Sequence, residues 1–181
     1  MPIGTKAGVA AIASLALVLS AVAREPGDLA NPSIDMAGYL AVAATAAAHR
    51  ESHRVSEREF LRLAREPGTI ILDARSREKY DELHVIGALN MSFPDIAIGS
   101  LRQTIPNRST RILIYCNNNF VDAEGPFPMK LPAASLNLST YIALYTYGYR
   151  NVWELGPRLD IAQSMLSFEG TSLVSGLVPV K

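Results

Sequence analysis

The chain has 181 residues, about half of them hydrophobic (49%), with 17 basic and 17 acidic side chains, three histidines and a single cysteine. The charges balance and no Arg/Lys cluster or basic stripe stands out, which argues against nucleic acid and anionic lipid as partners. One cysteine excludes any disulfide within the chain.

The first residues speak to compartment. Met1–Lys6 is short and positively charged, and residues 7–23 (AGVAAIASLALVLSAVA) run without a charge to Ala21-Val22-Ala23. A polar turn, Arg24-Glu25-Pro26, follows. This is the layout of a secretory signal peptide with a small-x-small cleavage site. A retained anchor is the competing reading, although so short and alanine-rich a stretch sits at the lower edge of what spans a bilayer. No cysteine adjoins it, so a lipoprotein anchor is excluded. Export to a periplasm or the exterior is the expectation, with no membrane association after cleavage. Removing residues 1–23 leaves 158, the size of one domain.

Residues 24–34 carry two prolines and a glycine without periodicity and read as a leader. Residues 35–53 are alanine-rich and predict a helical extension packed on the domain. Arg54-Val55 is a short edge strand. Ser56-Glu57-Arg58-Glu59 is a capping-box sequence, in which the Ser hydroxyl and the Glu carboxylate satisfy free N–H groups. A helix to Arg65 follows, with Phe60, Leu61 and Ala64 inward. Thr69–Leu72 is a short continuous apolar run, the mark of a strand buried on both faces, ending at Asp73-Ala74-Arg75. Ser76 caps a helix over 77–82. His84–Asn90 is a turn entering a strand, and 100–105 is a short helix.

Arg111–Tyr115 is the second apolar strand, and it stops at Cys116. A polar loop with Gly125, Pro126, Pro128 and Pro132 follows to about residue 132. A helix over 133–147 ends at a capping Gly148, and Arg150–Leu155 is the last strand. A short helix near 159–166 and an irregular tail complete the chain, so residues 54–160 form the domain and 161–181 the tail. Strands alternating with helices predict a doubly wound α/β domain, with a mainly parallel sheet covered on both faces and its working end at the strand carboxyl ends. Cys116 falls at such an end. In an oxidising compartment a lone cysteine is inert and buried, linked to another chain, or a working thiol.

Certain residues together resemble a known family. Ile71-Leu72-Asp73-Ala74-Arg75-Ser76, Tyr80, and His84-Val85-Ile86-Gly87-Ala88-Leu89-Asn90 resemble the rhodanese-family signature. Ile112–Cys116 is similar to its cysteine-bearing strand, and Tyr147–Gly156 to its closing helix-Gly-strand segment. The likeness spans residues 54–160. It implies a sulfurtransferase-type domain in which Cys116 accepts sulfur as a persulfide. Backbone amides of Asn117, Asn118, Asn119 and Phe120 would then stabilise the anion, and a small thiol, a sulfur donor or a sulfur acceptor would be the partner. No cofactor is expected.

The loop departs from the family pattern. Active members carry a tight basic loop, whereas Cys116 is followed by Asn117-Asn118-Asn119-Phe120-Val121-Asp122-Ala123-Glu124-Gly125, longer and acidic. Thiosulfate is a poor donor for such a loop. Cysteine phosphatases need an arginine at the sixth position after the cysteine, and that position is Asp122. A dithiol site needs a cysteine where Asn119 stands, and metal ligation fares no better with only His49, His53 and His84 available. Two alternatives stay open: a non-catalytic module binding a partner protein through loop 117–132, and a redox-sensing thiol. Asp73 and Arg75 are expected to form an ion pair under the loop, and His84 to fix the turn before Gly87. The three asparagines are either turn formers or amides offered to a ligand. Phe120, Phe127, Tyr141, Tyr145, Tyr147 and Tyr149 anchor the loop by core packing or form a lid over Cys116.

Overall fold

The structure is a computed structural model that describes residues 31–174. The signal-peptide segment 1–23, most of the leader and the last seven residues lie outside the described residues. Residues 31–35 belong to a separate unit and form a turn in which Asn31 Oδ1 accepts from the Ser33 N–H at 2.9 Å.

From Met36 onward the chain forms one α/β domain. Its sheet contains β1 (Arg54–Val55), β2 (Ile70–Asp73), β4 (Ala88–Asn90), β5 (Ile112–Tyr115) and β7 (Val152–Leu155), all parallel, in the order β1-β7-β5-β2-β4. The continuous apolar runs explain the layering. On β5 all four residues are buried. Leu113 and Tyr115 enter one core, with Phe60, Leu63, Leu83 and Leu155. Ile112 and Ile114 enter the other, with Leu101, Tyr141, Leu144 and Val152. Successive side chains of a strand point to opposite faces, so a strand covered on both sides cannot alternate polar with apolar.

Helices α2 (Glu57–Ala64) and α3 (Arg77–Glu82) serve the first core, and α1 (Met36–Glu51), α4 (Ile98–Thr104) and α5 (Leu136–Thr146) the second. Ser56 caps α2 as expected, its hydroxyl accepting from the Glu59 N–H at 3.3 Å. The Glu59 carboxylate does not close the box; it pairs with Arg62 one turn on. Helix α4 begins two residues before the expected start because Ser100 Oγ accepts from the Ala97 N–H at 3.0 Å, supplying a cap from inside the helix. Helix α5 begins three residues late, since Pro132–Ala134 is a 3-10 turn and Ser135 has extended backbone. Gly148 closes α5 at φ +94°, with Gly148 N–H on Tyr145 O and Tyr149 N–H on Leu144 O. This left-handed closure is the one a glycine makes without penalty.

Helix α1 lies on α5. The Arg50 guanidinium grips the largely buried Glu154 carboxylate of β7 with two nitrogens, and His49 Nδ1 meets Tyr141 Oη at 2.8 Å. None of the helices among the described residues is long and apolar enough to cross a membrane.

The expected helix near 159–166 is replaced by β8 (Leu159–Asp160) and a turn. The segment beyond it folds back as β9 (Phe168–Glu169) and α6 (Thr171–Val174). β8 pairs with β6 (Phe120–Val121) inside the long loop, and β9 pairs antiparallel with β3 (His84–Val85). Phe120, Phe127 and Phe168 meet edge to face or tilted, with Phe120 at 4.5 Å and 5.3 Å from the other two ring centres. The loop after the cysteine is thus a packed layer on the first core, tied down by β8 and by Phe168 of β9.

Candidate functional site

Cys116 follows directly from β5, which carries it to the carboxyl edge of the sheet, and it is 1% exposed. The chain then makes a 3-10 turn over Asn117–Asn119. Asn119 Oδ1 reaches back to accept from the Cys116 N–H at 2.9 Å. The same oxygen accepts from Asn137 Nδ2 at 3.0 Å, tying the turn to the first turn of α5. The Cys116 Sγ lies 3.4 Å from the Ser135 Oγ, immediately before that helix. The sulfur therefore lies against a hydroxyl at the amino end of an eleven-residue helix. Ser135 at the sulfur, and Asn119 and Asn137 in the hydrogen-bonded turn beside it, are all uncharged.

Each asparagine of the loop is a staple. Asn117 Nδ2 donates to Pro128 O at 2.8 Å. Asn118 bonds Lys130 in both directions, Nδ2 to O at 2.8 Å and Lys130 N–H to Oδ1 at 3.1 Å. Asn119 Nδ2 is shared between Leu155 O at 2.8 Å and Pro157 O at 3.0 Å. None of the three adopts a left-handed backbone; that conformation belongs to Asp122, at φ +58°. Three polar atoms in this neighbourhood, Asn117 Oδ1, Asn137 Oδ1 and Thr140 Oγ1, are buried without a hydrogen-bond partner.

Beneath the loop, Asp73 and Arg75 form the expected ion pair, Nη2 to Oδ2 at 2.5 Å, with both side chains buried. Arg75 also donates to Pro126 O at 2.9 Å and Leu83 O at 2.7 Å, and its guanidinium lies 4.1 Å from the Phe127 ring centre. Tyr115 donates to Asp73 Oδ2 at 2.6 Å and accepts from the Val85 N–H at 3.1 Å. Burial, reinforced by the Asp73 carboxylate, pushes the Tyr115 phenol well above its ordinary range, so it remains a donor. The cluster ties β2, β3 and β5 to the long loop. It stands next to the cysteine strand and does not touch the sulfur.

His84 stacks on Tyr80 at 3.6 Å and binds Tyr80 O at 2.7 Å and Glu169 Oε1 at 3.1 Å. Its bonds join α3 to β9 beside the Ile86-Gly87 turn, and Gly87 has φ +81°. The aromatic set divides. Phe120 and Phe127 anchor the loop on the first core, whereas Tyr141 and Tyr149 are buried in the second, with Tyr145 and Tyr147 against it. No lid is built from them together. Ser135, Asn137 and Tyr115 take part in the site without having been singled out from sequence. The helix expected over 133–147 enclosed Ser135, so its place as the residue ahead of α5 had no signal in that reading.

Residues 56–155 match the sequence profile of a family described as Rhodanese-like domain. Among solved structures, a crystal structure of a Bacillus halodurans protein is 20% identical, covering 72% of this chain and 85% of its own, with a TM-score of 0.50. A solution structure of a rhodanese-like domain from an Anabaena species is 19% identical over 71% of this chain and 87% of its own, with a TM-score of 0.49. Thiosulfate sulfurtransferase from Pseudomonas aeruginosa is 17% identical over 71% of this chain and 22% of its own, with a TM-score of 0.47. At these identities the likeness concerns the fold alone. No curated protein matches the sequence.

Proposed function

The chain belongs to the rhodanese-like domain family, and on that footing we propose that it is an exported sulfur carrier of the sulfurtransferase type, with Cys116 as the atom that takes up and passes on sulfur. One observation carries the reading: the Cys116 Sγ, at the carboxyl end of β5, faces Ser135 Oγ at 3.4 Å at the amino end of α5. The hydroxyl and the helix dipole would support a thiolate, and after it a persulfide.

In the proposed step the Cys116 thiolate attacks the outer sulfur of a hydropersulfide, R–S–SH. A new S–S bond forms at Cys116, the donor's own S–S bond breaks, and R–S⁻ leaves and takes up a proton. Return to the thiol requires a second nucleophile, a thiol or cyanide, to remove the outer sulfur in the same way. Thiosulfate suits the site poorly. Its sulfonate asks for cations, and Asn119, Ser135 and Asn137 offer none, while the loop's own charges include Asp122 and Glu124.

Because the thiol is 1% exposed, loading also requires the loop to open. The stretch from Met129 to Ser135, held by the solvent-exposed Asn118–Lys130 bonds, is the part suited to move, and its Met129 and Leu131 side chains are 58% and 78% exposed. That same exposure favours the second reading, a module that binds a partner protein through loop 117–132. A redox-sensing thiol would need the same opening for an oxidant to reach the sulfur.

The test is thiocyanate production with cyanide as acceptor. A glutathione hydropersulfide donor should support turnover that Cys116→Ser abolishes. Thiosulfate should be slower by at least about a hundredfold, the loss expected without charge-assisted contacts to the sulfonate. Absence of turnover with every donor would favour the binding module. Export is tested separately, by sequencing the secreted protein, which should begin at Arg24.

A further inference from the structure

At the end of the sheet opposite Cys116, where α4 runs into β5 and α5 closes at Gly148, the surface holds a cleft of about 280 Å³ whose lining includes Ile98, Leu101, Arg102, Arg108, Tyr147 and Tyr149. Its size is near the lower end for small-molecule sites. Among the described residues no carboxylate lines it. Neither the Arg102 nor the Arg108 side chain has a hydrogen-bond or ion-pair partner among the described residues.

Arg102, in the last turn of α4, has an ordinary reason to be there, since a cation offsets the negative end of a helix. Arg108 does not. It follows Pro106-Asn107 in a loop, and its Cδ, Nε and Cζ lie 3.4, 3.5 and 3.6 Å from the point that a β-carbon on residue 148 would occupy. Gly148 therefore does two things: it closes α5 and leaves room for this guanidinium. The tyrosines are held by the backbone at their polar ends, Tyr149 donating to Ile105 O at 2.6 Å and Tyr147 to Ile96 O at 3.5 Å. The exposed Ile98 and the half-buried Tyr147 ring form the apolar part of the wall, backed by the buried Tyr149 and Leu101.

Two guanidinium groups sharing a cleft without a counter-charge repel one another, and an anion between them relieves this. A carboxylate brings one negative charge. A phosphate monoester brings between one and a half and two at neutral pH, and its oxygens match the arginine fork. We propose that this cleft binds a small phosphate monoester, with its phosphate between Arg102 and Arg108 and an apolar or aromatic body on Ile98 and the Tyr147 ring. The site is separated from Cys116 by at least the length of β5, about 13 Å, and does not depend on thiol chemistry.

The probe is phenyl phosphate, titrated into the full chain at low salt and followed by amide chemical shifts. Shifts should concentrate at residues 98–108 and 147–149 and be absent at 116–120. Binding should be about tenfold tighter than for inorganic phosphate, because the ring buries apolar surface. It should fall about tenfold in Arg102→Gln and in Arg108→Gln, and weaken steeply as salt is raised. Both arginines are exposed, so these variants should melt with the parent. The proposal is overturned by absence of shifts in this region, by binding that survives Arg102→Gln/Arg108→Gln, or by equal affinity for inorganic and phenyl phosphate.

Discussion

Replacing Asn119 by alanine isolates the element that joins the cysteine turn to the rest of the domain. The side chain makes four bonds: from Cys116 N–H at 2.9 Å, from Asn137 Nδ2 at 3.0 Å, to Leu155 O at 2.8 Å and to Pro157 O at 3.0 Å. Alanine leaves these groups without that partner in a place that water does not reach freely. Each buried group so abandoned costs about 1–3 kcal/mol, and partial relaxation brings the total to about 3–5 kcal/mol. That is a large share of the roughly 5–15 kcal/mol that stabilises an ordinary domain, and it corresponds to a fall in Tm of roughly 10 °C. Urea unfolding should show the midpoint lowered at unchanged slope. Asn118→Ala is the internal control, because its bonds to Lys130 are solvent-exposed and should be worth about 1 kcal/mol or less. A loss below about 1 kcal/mol for Asn119→Ala, or equal losses for the two variants, would refute the view that Asn119 holds the cysteine turn in place.

Other consequences follow from the same geometry. Arg75→Ala strands the fully buried Asp73 carboxylate and should cost about 3–5 kcal/mol by denaturant unfolding. His49 has its pKa lowered, chiefly by burial and then by His53 and Arg150. The unfolded chain then binds protons more readily than the folded one, so stability is full above pH 6.5 and declines as pH falls below it. Thermal melts between pH 7.5 and 5 should show this decline, reduced in His49→Gln, along with earlier loss of α1 protection in amide exchange. Gly148→Ala forces a β-carbon into a left-handed position 3.4 Å from Arg108 Cδ and should lower stability by about 1–2 kcal/mol in the same unfolding assay.

What could be read from the sequence was what is local. The apolar runs at 70–72 and 112–115, Ser56 and Ser76 as caps, and Gly148 as a helix stop each carry their signal within a few residues, and each sits within a residue or two of its expected place. The Asp73–Arg75 pair was legible for the same reason, being two residues apart at a strand end. The loop after Cys116 was legible as an insertion but not as a structure. Its staples join Asn119 to Leu155 and Pro157, and Asn118 to Lys130, contacts that no spacing announces. The tail was obscure because β8 and β9 are two residues each, too short for any periodicity to show. Glu59 shows the limit of a motif: its carboxylate had a choice between a backbone N–H and Arg62, and took the arginine.

The central claim is that Cys116 carries sulfur, and it is tested most directly by intact mass and peptide mapping after brief exposure to a hydropersulfide donor. The account predicts a gain of one sulfur atom located on Cys116, faster in Asn119→Ala where the cover is loosened, removed by a thiol reductant and absent in Cys116→Ser. No added sulfur on Cys116, in the parent and in Asn119→Ala alike, would contradict it.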